Sequence, residues 1–370
     1  MMIESAGAKT LSLLLLIALG LLLKRKIPAE QVKGLKSLIL TVALPATIFL
    51  ALMQIEVKQE LLWLPWLALG FNLLMLGLGW LGLRWHPLGA DAAQRRTLLM
   101  LFPSLAPGLS CFPFLVEFLG EGSLAQAAIA DVGNKVFVLI LLYLLAMRWH
   151  YAAQAEDPRP MGKRLRALLL ALLREPINLV MAAALLLLAL GWRLGDLPAV
   201  LQSTIGRLGA IMTPLVLIFI GLAVKVKRHE VWPLFSLLLL RSGLALLLSA
   251  VFLLLLPELA PAAALLAVIF PQSACSFWPY AHMSAADALE QGQARTFDLS
   301  LGVNLLAFSL PFSTALILTL SALGPAVAQP GWLLGLGGGF LLLGSSTMIY
   351  RGIQVGWKKP MEVAVAERES

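Results

Sequence analysis

The chain has 370 residues, 60% of them hydrophobic and only 13% charged, with a mean hydropathy of +0.88. That excludes an ordinary soluble domain: apolar runs of about 18 residues or more belong to helices that span a bilayer. A net charge of +8 suggests nucleic acid only when the basic residues share a soluble face. Here they sit in short loops between apolar runs, as orientation signals do, so lipid is the expected partner and nucleic acid is not.

In chain order, the opening MMIESAGAKTLSLLLLIALGLLLKRK has the outline of a signal peptide. It carries Glu4, lacks a small-residue cleavage site and runs into Lys24, Arg25 and Lys26, so it reads as the first spanning helix. The apolar runs predict ten spans, at 9–23, 35–56, 61–83, 97–119, 124–147, 177–195, 208–224, 231–256, 259–285 and 293–323, with an eleventh at 331–350. Between spans 5 and 6 lies DPRPMGKRLRALLLALLRE, whose second half is a basic amphipathic stretch suited to the membrane surface.

Basic residues alternate between loops. The first has Lys24, Arg25, Lys26 and Lys33; the third has Arg84, Arg95 and Arg96; the seventh has Lys225, Lys227 and Arg228. The fifth is the richest, with Lys163, Arg164 and Arg166 at its centre, whereas the fourth and eighth have none. This pattern puts the N-terminus outside and the central loop in the cytoplasm of a plasma membrane, the inner membrane if the cell is bacterial. An eleventh span returns Arg351, Lys358 and Lys359 to the cytoplasmic side.

The two halves match. Gly20–Pro45 (GLLLKRKIPAEQVKGLKSLILTVALP) and Gly191–Pro214 (GWRLGDLPAVLQSTIGRLGAIMTP) both read Gly, polar turn, Pro, amphipathic run, then Pro inside a helix. FPSLAPGLSCFPF in span 4 and FPQSACSFWPY in span 9 both read Phe-Pro, a small polar stretch with one cysteine, then an aromatic-Pro-aromatic exit. The pairs Pro28/Pro198, Pro45/Pro214, Pro103/Pro271 and Pro113/Pro279 lie 170, 169, 168 and 166 residues apart, and Asp131/Asp298 lie 167 apart. Five spans separate the copies, so the second is inverted in the membrane. Paired Gly/Pro-interrupted segments in inverted repeats point to the binding site of secondary transporters. Spans 4 and 9 are therefore expected to break near the midplane, freeing backbone groups towards a cavity and offering half-helix N-termini to an anion. The plainer alternative is that these prolines only kink their helices. The organisation expected is a first five-helix repeat over 1–147, a basic cytoplasmic loop over 148–176, a second repeat over 177–323, and an extra helix with a tail over 324–370.

These stretches resemble the auxin efflux carrier family of permeases, within the larger group that includes bile acid/sodium symporters. The resemblance rests on LTVALPATIFLALMQIEV, ADVGNKVFVL, REPINLVMAAALLLLALG, LGAIMTPLVLIFIGLAVKV and FPQSACSFWPY followed by DLSLGVN, and covers about residues 8–323. It implies an all-α polytopic fold of two inverted five-helix halves, with helices 4 and 9 unwound at prolines and crossing in an X. It also implies transport of organic anions, and leaves a homodimer open. Three features depart from the family: an extra proline, Pro107, in the span 4 break, a short central loop, and the eleventh span.

Polar residues inside apolar spans are expensive unless paired or facing a cavity. Asp131 and Lys135 are spaced i,i+4, so they serve either as coupling site and anion partner or as a self-neutralising pair. Asp298, the repeat mate of Asp131, has no lysine four residues on and is the second candidate for coupling a proton or sodium. Asn134 and Asn304 offer both donor and acceptor to a substrate, or else hydrogen-bond between helices. Ser104, Ser110, Gln272, Ser273 and Ser276 flank the breaks and, with Pro113 and Pro279, are expected to line the site. Phe112, Phe277, Trp278 and Tyr280 either wall an apolar substrate group or pack. Cys111 and Cys275 lie in apolar segments and read as small core residues; no disulfide framework, metal spacing or cofactor is indicated. Arg241 receives no role.

The leading reading is a secondary carrier of small organic anions working by alternating access, driven by a proton or sodium gradient or by membrane potential. The alternatives are a sodium-coupled symporter of the bile acid type and a non-transporting membrane receptor. No HExxH or GxSxG motif supports an intramembrane enzyme.

Overall fold

The computed structural model describes residues 6–54, 59–89, 91–154, 170, 176–223, 231–287, 289–290 and 295–346. Among them every regular element is helical and no strand forms. Seven helical stretches are long and apolar enough to cross a membrane, and Leu11–Leu23 and Pro176–Ala189 are shorter apolar helices. A helix satisfies its own peptide groups, which lipid cannot do, so this is the build of an integral membrane protein. Most of the central-loop stretch, Lys225, Lys227, Arg228 and the tail with Arg351, Lys358 and Lys359 lie outside the described residues.

The first half runs α1 (Ala6–Leu23), α2 (Ala29–Leu38), α3 (Leu44–Gln54), α4 (Leu64–Gly82), α5 (Ala92–Leu101), α6 (Pro107–Ser110), α7 (Phe112–Leu119), α8 (Glu121–Val136) and α9 (Leu142–Gln154). One widened turn, Ile39–Ala43, joins α2 to α3. Pro45 follows it; its ring crowds the carbonyl of the preceding turn, which opens rather than breaks. The second half runs α10 (Pro176–Ala189), α11 (Ala199–Ala210), α12 (Met212–Ala223), α13 (Val231–Leu255), α14 (Pro261–Ile269), α15 (Phe277–Asp287) and α16 (Leu299–Leu323). A last helix, α17, occupies 330–346.

Several ends differ from the expected ones for local reasons. The sixth span stops at Ala189, where Gly191 takes a φ of 83° and the Trp192 and Gly191 N–H groups turn back to the Leu187 and Leu188 carbonyls. The seventh starts at Ala199, directly after Pro198, because its first turns are helical yet too polar to register as an apolar run. The tenth starts at Leu299, capped by Asp298.

Two groups of helices are distinguishable. In one, α1 lies along α12, and α3 packs on α10 and α11; in the other, α4 lies along α8, α5 meets α16, α9 meets α15, and α13 meets α14 and α16; the two groups join where α3 packs closely on α8. Small residues set these approaches, as expected where lipid supplies no hydrophobic drive between helices. A Cβ on Gly20 would strike the Ile218 carbonyl, and one on Gly221 the Ile17 carbonyl. A Cβ on Gly133 would strike the Pro65 carbonyl, so α8 and α4 touch backbone to backbone. Helix α17 lies antiparallel on α13, with Gly337 against Gly243 and Gly344 against Ser236 and Leu240. The rings of Trp63, Trp66, Trp80 and Trp85 project at the two ends of α4, where amphipathic rings favour the membrane interface.

Gly20→Ala and Gly221→Ala are expected to destabilise the protein by about 1–3 kcal/mol each through overpacking. Gly34→Ala, whose Cβ meets nothing within 4 Å, is expected to be neutral or stabilising. Thermal unfolding midpoints in detergent compare them.

Candidate functional site

Spans 4 and 9 are both broken. Between α5 and α6 the chain leaves the helix at Phe102–Ala106, where Pro103 and Pro107 supply no N–H. Between α14 and α15 it passes through a tight turn, Phe270–Gln272, and an extended stretch that begins at Ser273. The two breaks meet: the Ala106 N–H donates to the Ala274 carbonyl at 2.8 Å. Around that bond two serines serve both segments. Ser110 Oγ accepts from the Ala274 N–H at 2.9 Å and donates to the Ala106 carbonyl at 2.9 Å. Ser104 Oγ accepts from the Ser276 N–H at 3.0 Å and donates to the Leu101 carbonyl at 2.7 Å. Ser273 Oγ donates to the Phe270 carbonyl at 2.6 Å.

Neighbouring helices satisfy the remaining backbone groups. Asn134 on α8 accepts from the Leu105 N–H at 3.3 Å and donates to the Leu105 carbonyl at 3.0 Å. Its amide also reaches Asp131 Oδ1 at 2.7 Å, and its carbonyl accepts from Asn72 on α4 at 3.0 Å. Arg241 on α13 donates from Nε to the Phe102 carbonyl at 2.8 Å and from Nη2 to the Ser104 carbonyl at 2.9 Å. Ser309 on α16 accepts from the Cys275 N–H at 3.2 Å. Asp131 lies 3.6 Å from the Lys135 ammonium, which also donates to Asn178 on α10 at 3.0 Å. Gln272 is fully buried, and neither end of its carboxamide finds a partner among the described residues.

The expected residues therefore divide. Ser104, Ser110, Ser273, Ser276, Asn134 and Gln272 come together at the crossover, with Asp131 and Lys135 beside Asn134. Pro113 and Pro279 stand at the starts of α7 and α15 and shape the helix restarts. Cys111 and Cys275 are buried and free. Phe277 and Trp278 remain half exposed, with Lys36 on α2 held 5.2 Å over the Phe277 ring. Asn304 lies half buried on α16. Asp298 is elsewhere: it caps α16, accepting from the Leu301 N–H at 3.0 Å, while its own N–H donates to Thr97. It lines an open cavity of about 530 Å³ together with Asp91, Arg96, Arg295 and Phe297. That cavity shares no residue with the crossover, and the polar convergence above is the candidate site.

Asn72, Asn178, Arg241 and Ser309 are the members that sequence reasoning missed. A lone polar residue in an apolar helix was the only signal any of them carried. Neither a scan of protein-family models nor a search of curated proteins finds a match to the chain.

Asn134→Leu strands the Leu105 N–H and carbonyl together. A buried unsatisfied group costs about 1–3 kcal/mol, so the expected loss is about 2–6 kcal/mol, seen as a lowered unfolding midpoint, with Asn134→Gln losing less.

Proposed function

We propose that the chain is a secondary active transporter of small organic anions, a permease of the auxin efflux carrier type, working by alternating access at the crossover of two broken helices. The observation that carries this reading is the joined break: two helices interrupted at matching prolines, hydrogen-bonded to each other through Ala106 and Ala274. A structural protein has no need of unwound backbone at that depth, which is tolerated where it lines a cavity or is enclosed by protein.

Two further features support an inverted repeat. Ser104 and Ser273, 169 residues apart, make the same turn. Each sends its N–H, at 3.2 Å in both cases, and its hydroxyl to the carbonyl three residues back. The contacts of α1 with α12 and of α3 with α10 join spans 1 to 7 and 2 to 6, as two copies of one contact would. The group holding spans 1, 2, 6 and 7 then acts as the frame, and the group holding the crossover moves against it.

In this reading α7 and α15 begin at the crossover and direct their N-terminal dipoles towards the anion. Ser104, Ser110, Gln272, Ser273 and Ser276 surround it. Asp131 is the coupling group for a proton or sodium. Lys135, bonded to Asp131 within the moving group and to Asn178 in the frame, is the contact that changes when the two slide. The protein lies in the cell membrane with its N-terminus outside and its central loop in the cytoplasm.

The test is counterflow of labelled organic mono- and dicarboxylates in proteoliposomes, with sodium and pH varied. Saturable exchange of at least one anion is expected. Asp131→Asn is expected to cut gradient-driven uptake by about tenfold, about 1.4 kcal/mol. A strict sodium requirement would replace this reading by the bile acid type of symport. No exchange or charge movement with any anion would leave the receptor.

A further inference from the structure

Arg241 has a place in this machinery beyond holding backbone. Its side chain is 2% exposed, the largest of the fully buried ones. It sits close to the middle of α13, roughly 15 Å from the first residue at 1.5 Å per residue. That is half the depth of an apolar layer about 30 Å thick. Its partners, the Phe102 and Ser104 carbonyls, are neutral. Among the described residues no carboxylate lies within ion-pairing reach of the guanidinium. A guanidinium keeps its charge in proteins. The titratable side chain that acts on it electrostatically is the Cys275 thiol, and the ionisable pair beside the crossover, Asp131 with Lys135, cancels internally. Lys36, over Phe277, stands on α2, which packs against α12.

A buried charge without a countercharge is costly and functional by default. Here it is bonded directly to two carbonyls of the span 4 break, on either side of Pro103, so it is tied to the crossover's backbone. We propose that Arg241 sets the charge of the moving group. It gives the empty crossover one fixed positive charge, which a bound monovalent anion offsets, so the empty return carries charge through the membrane field, while a cation taken up at Asp131 adds its own charge to the loaded step. This rests on the alternating-access reading. It deepens that reading by naming the valence of the load and the residue that fixes it. Arg241 is a positioning residue, acting through field and backbone rather than through substrate contact.

The test needs no substrate. Labels at Leu22→Cys on α1 and Leu342→Cys on α17, both strongly exposed, follow exchange between conformations in proteoliposomes, while voltage steps record transient charge. The expected result is exchange accompanied by displacement of up to one positive elementary charge per molecule. Arg241→Gln should still exchange but displace at least about fivefold less, since the charge is the displaced quantity. Arg241→Lys should displace charge at neutral pH and lose it as pH rises, because a lysine there can deprotonate, while the arginine protein stays flat. That pH contrast decides the matter even if Arg241→Gln fails to fold. Exchange with no displaced charge, or with the same charge in Arg241→Gln, would overturn the proposal and leave the carrier intact with Arg241 as a clamp only. Labels that never exchange would overturn the carrier and this inference together.

Discussion

A peptide group without a partner in hydrocarbon costs several kcal/mol, and the crossover is built around that constraint. Unwinding a helix inside the protein frees N–H and C=O groups that need partners there. Each side chain brought to the break answers a particular one. The Asn134 carboxamide meets both polar groups of Leu105, as a neighbouring strand would. Arg241 takes two carbonyls on either side of Pro103. Ser104 and Ser110 each accept from the opposite segment and donate to their own. The break is thus supported in a defined shape, and the surrounding helices are placed to deliver those side chains. The backbone approach of Gly133 to Pro65 seats α8 against α4, which holds Asn134 and Asn72 in register.

Charge follows the same logic. The i,i+4 spacing of Asp131 and Lys135 lets two ionised groups share one helix face and enter lipid as a pair. Because Lys135 also reaches Asn178 on α10, the pair is not closed on itself. One arm lies within the group that holds the crossover and the other reaches out of it. Arg241 has no such carboxylate partner among the described residues, so the two buried cations near the break differ in kind: one is balanced, one is not.

How much of this the sequence disclosed depends on how local the cause is. Pro103 and Pro271 act on their own turns, so the two breaks and their matching serines were visible as spelling. Asn134 stood out because a carboxamide in an apolar span has to be answered. Arg241 carried the same signal, but its partners lie 139 and 137 residues away, and nothing in VWPLFSLLLLRSGLALLLSAVFLLL says which neighbour it meets. Ser309 meets the second break unannounced, since the register of an almost uniformly apolar helix cannot be read from its composition. Asp298 shows the limit of linear repeats. It keeps the offset of Asp131, yet α16 starts beside it, so the carboxylate is used at a helix end. The early start of α11 was hidden because amphipathic turns do not look like a membrane span.

The glycine contact between α13 and α17 has a consequence for the order of assembly. Chains are made and inserted from the N-terminus, so α13, bearing Arg241, enters the membrane well before the helix that covers its outer stripe. Until Gly337 and Gly344 arrive, the groove at Ser236, Leu240 and Gly243 faces lipid tails. Helix α17 is therefore a closing piece, added to an arrangement of earlier helices rather than a template for it.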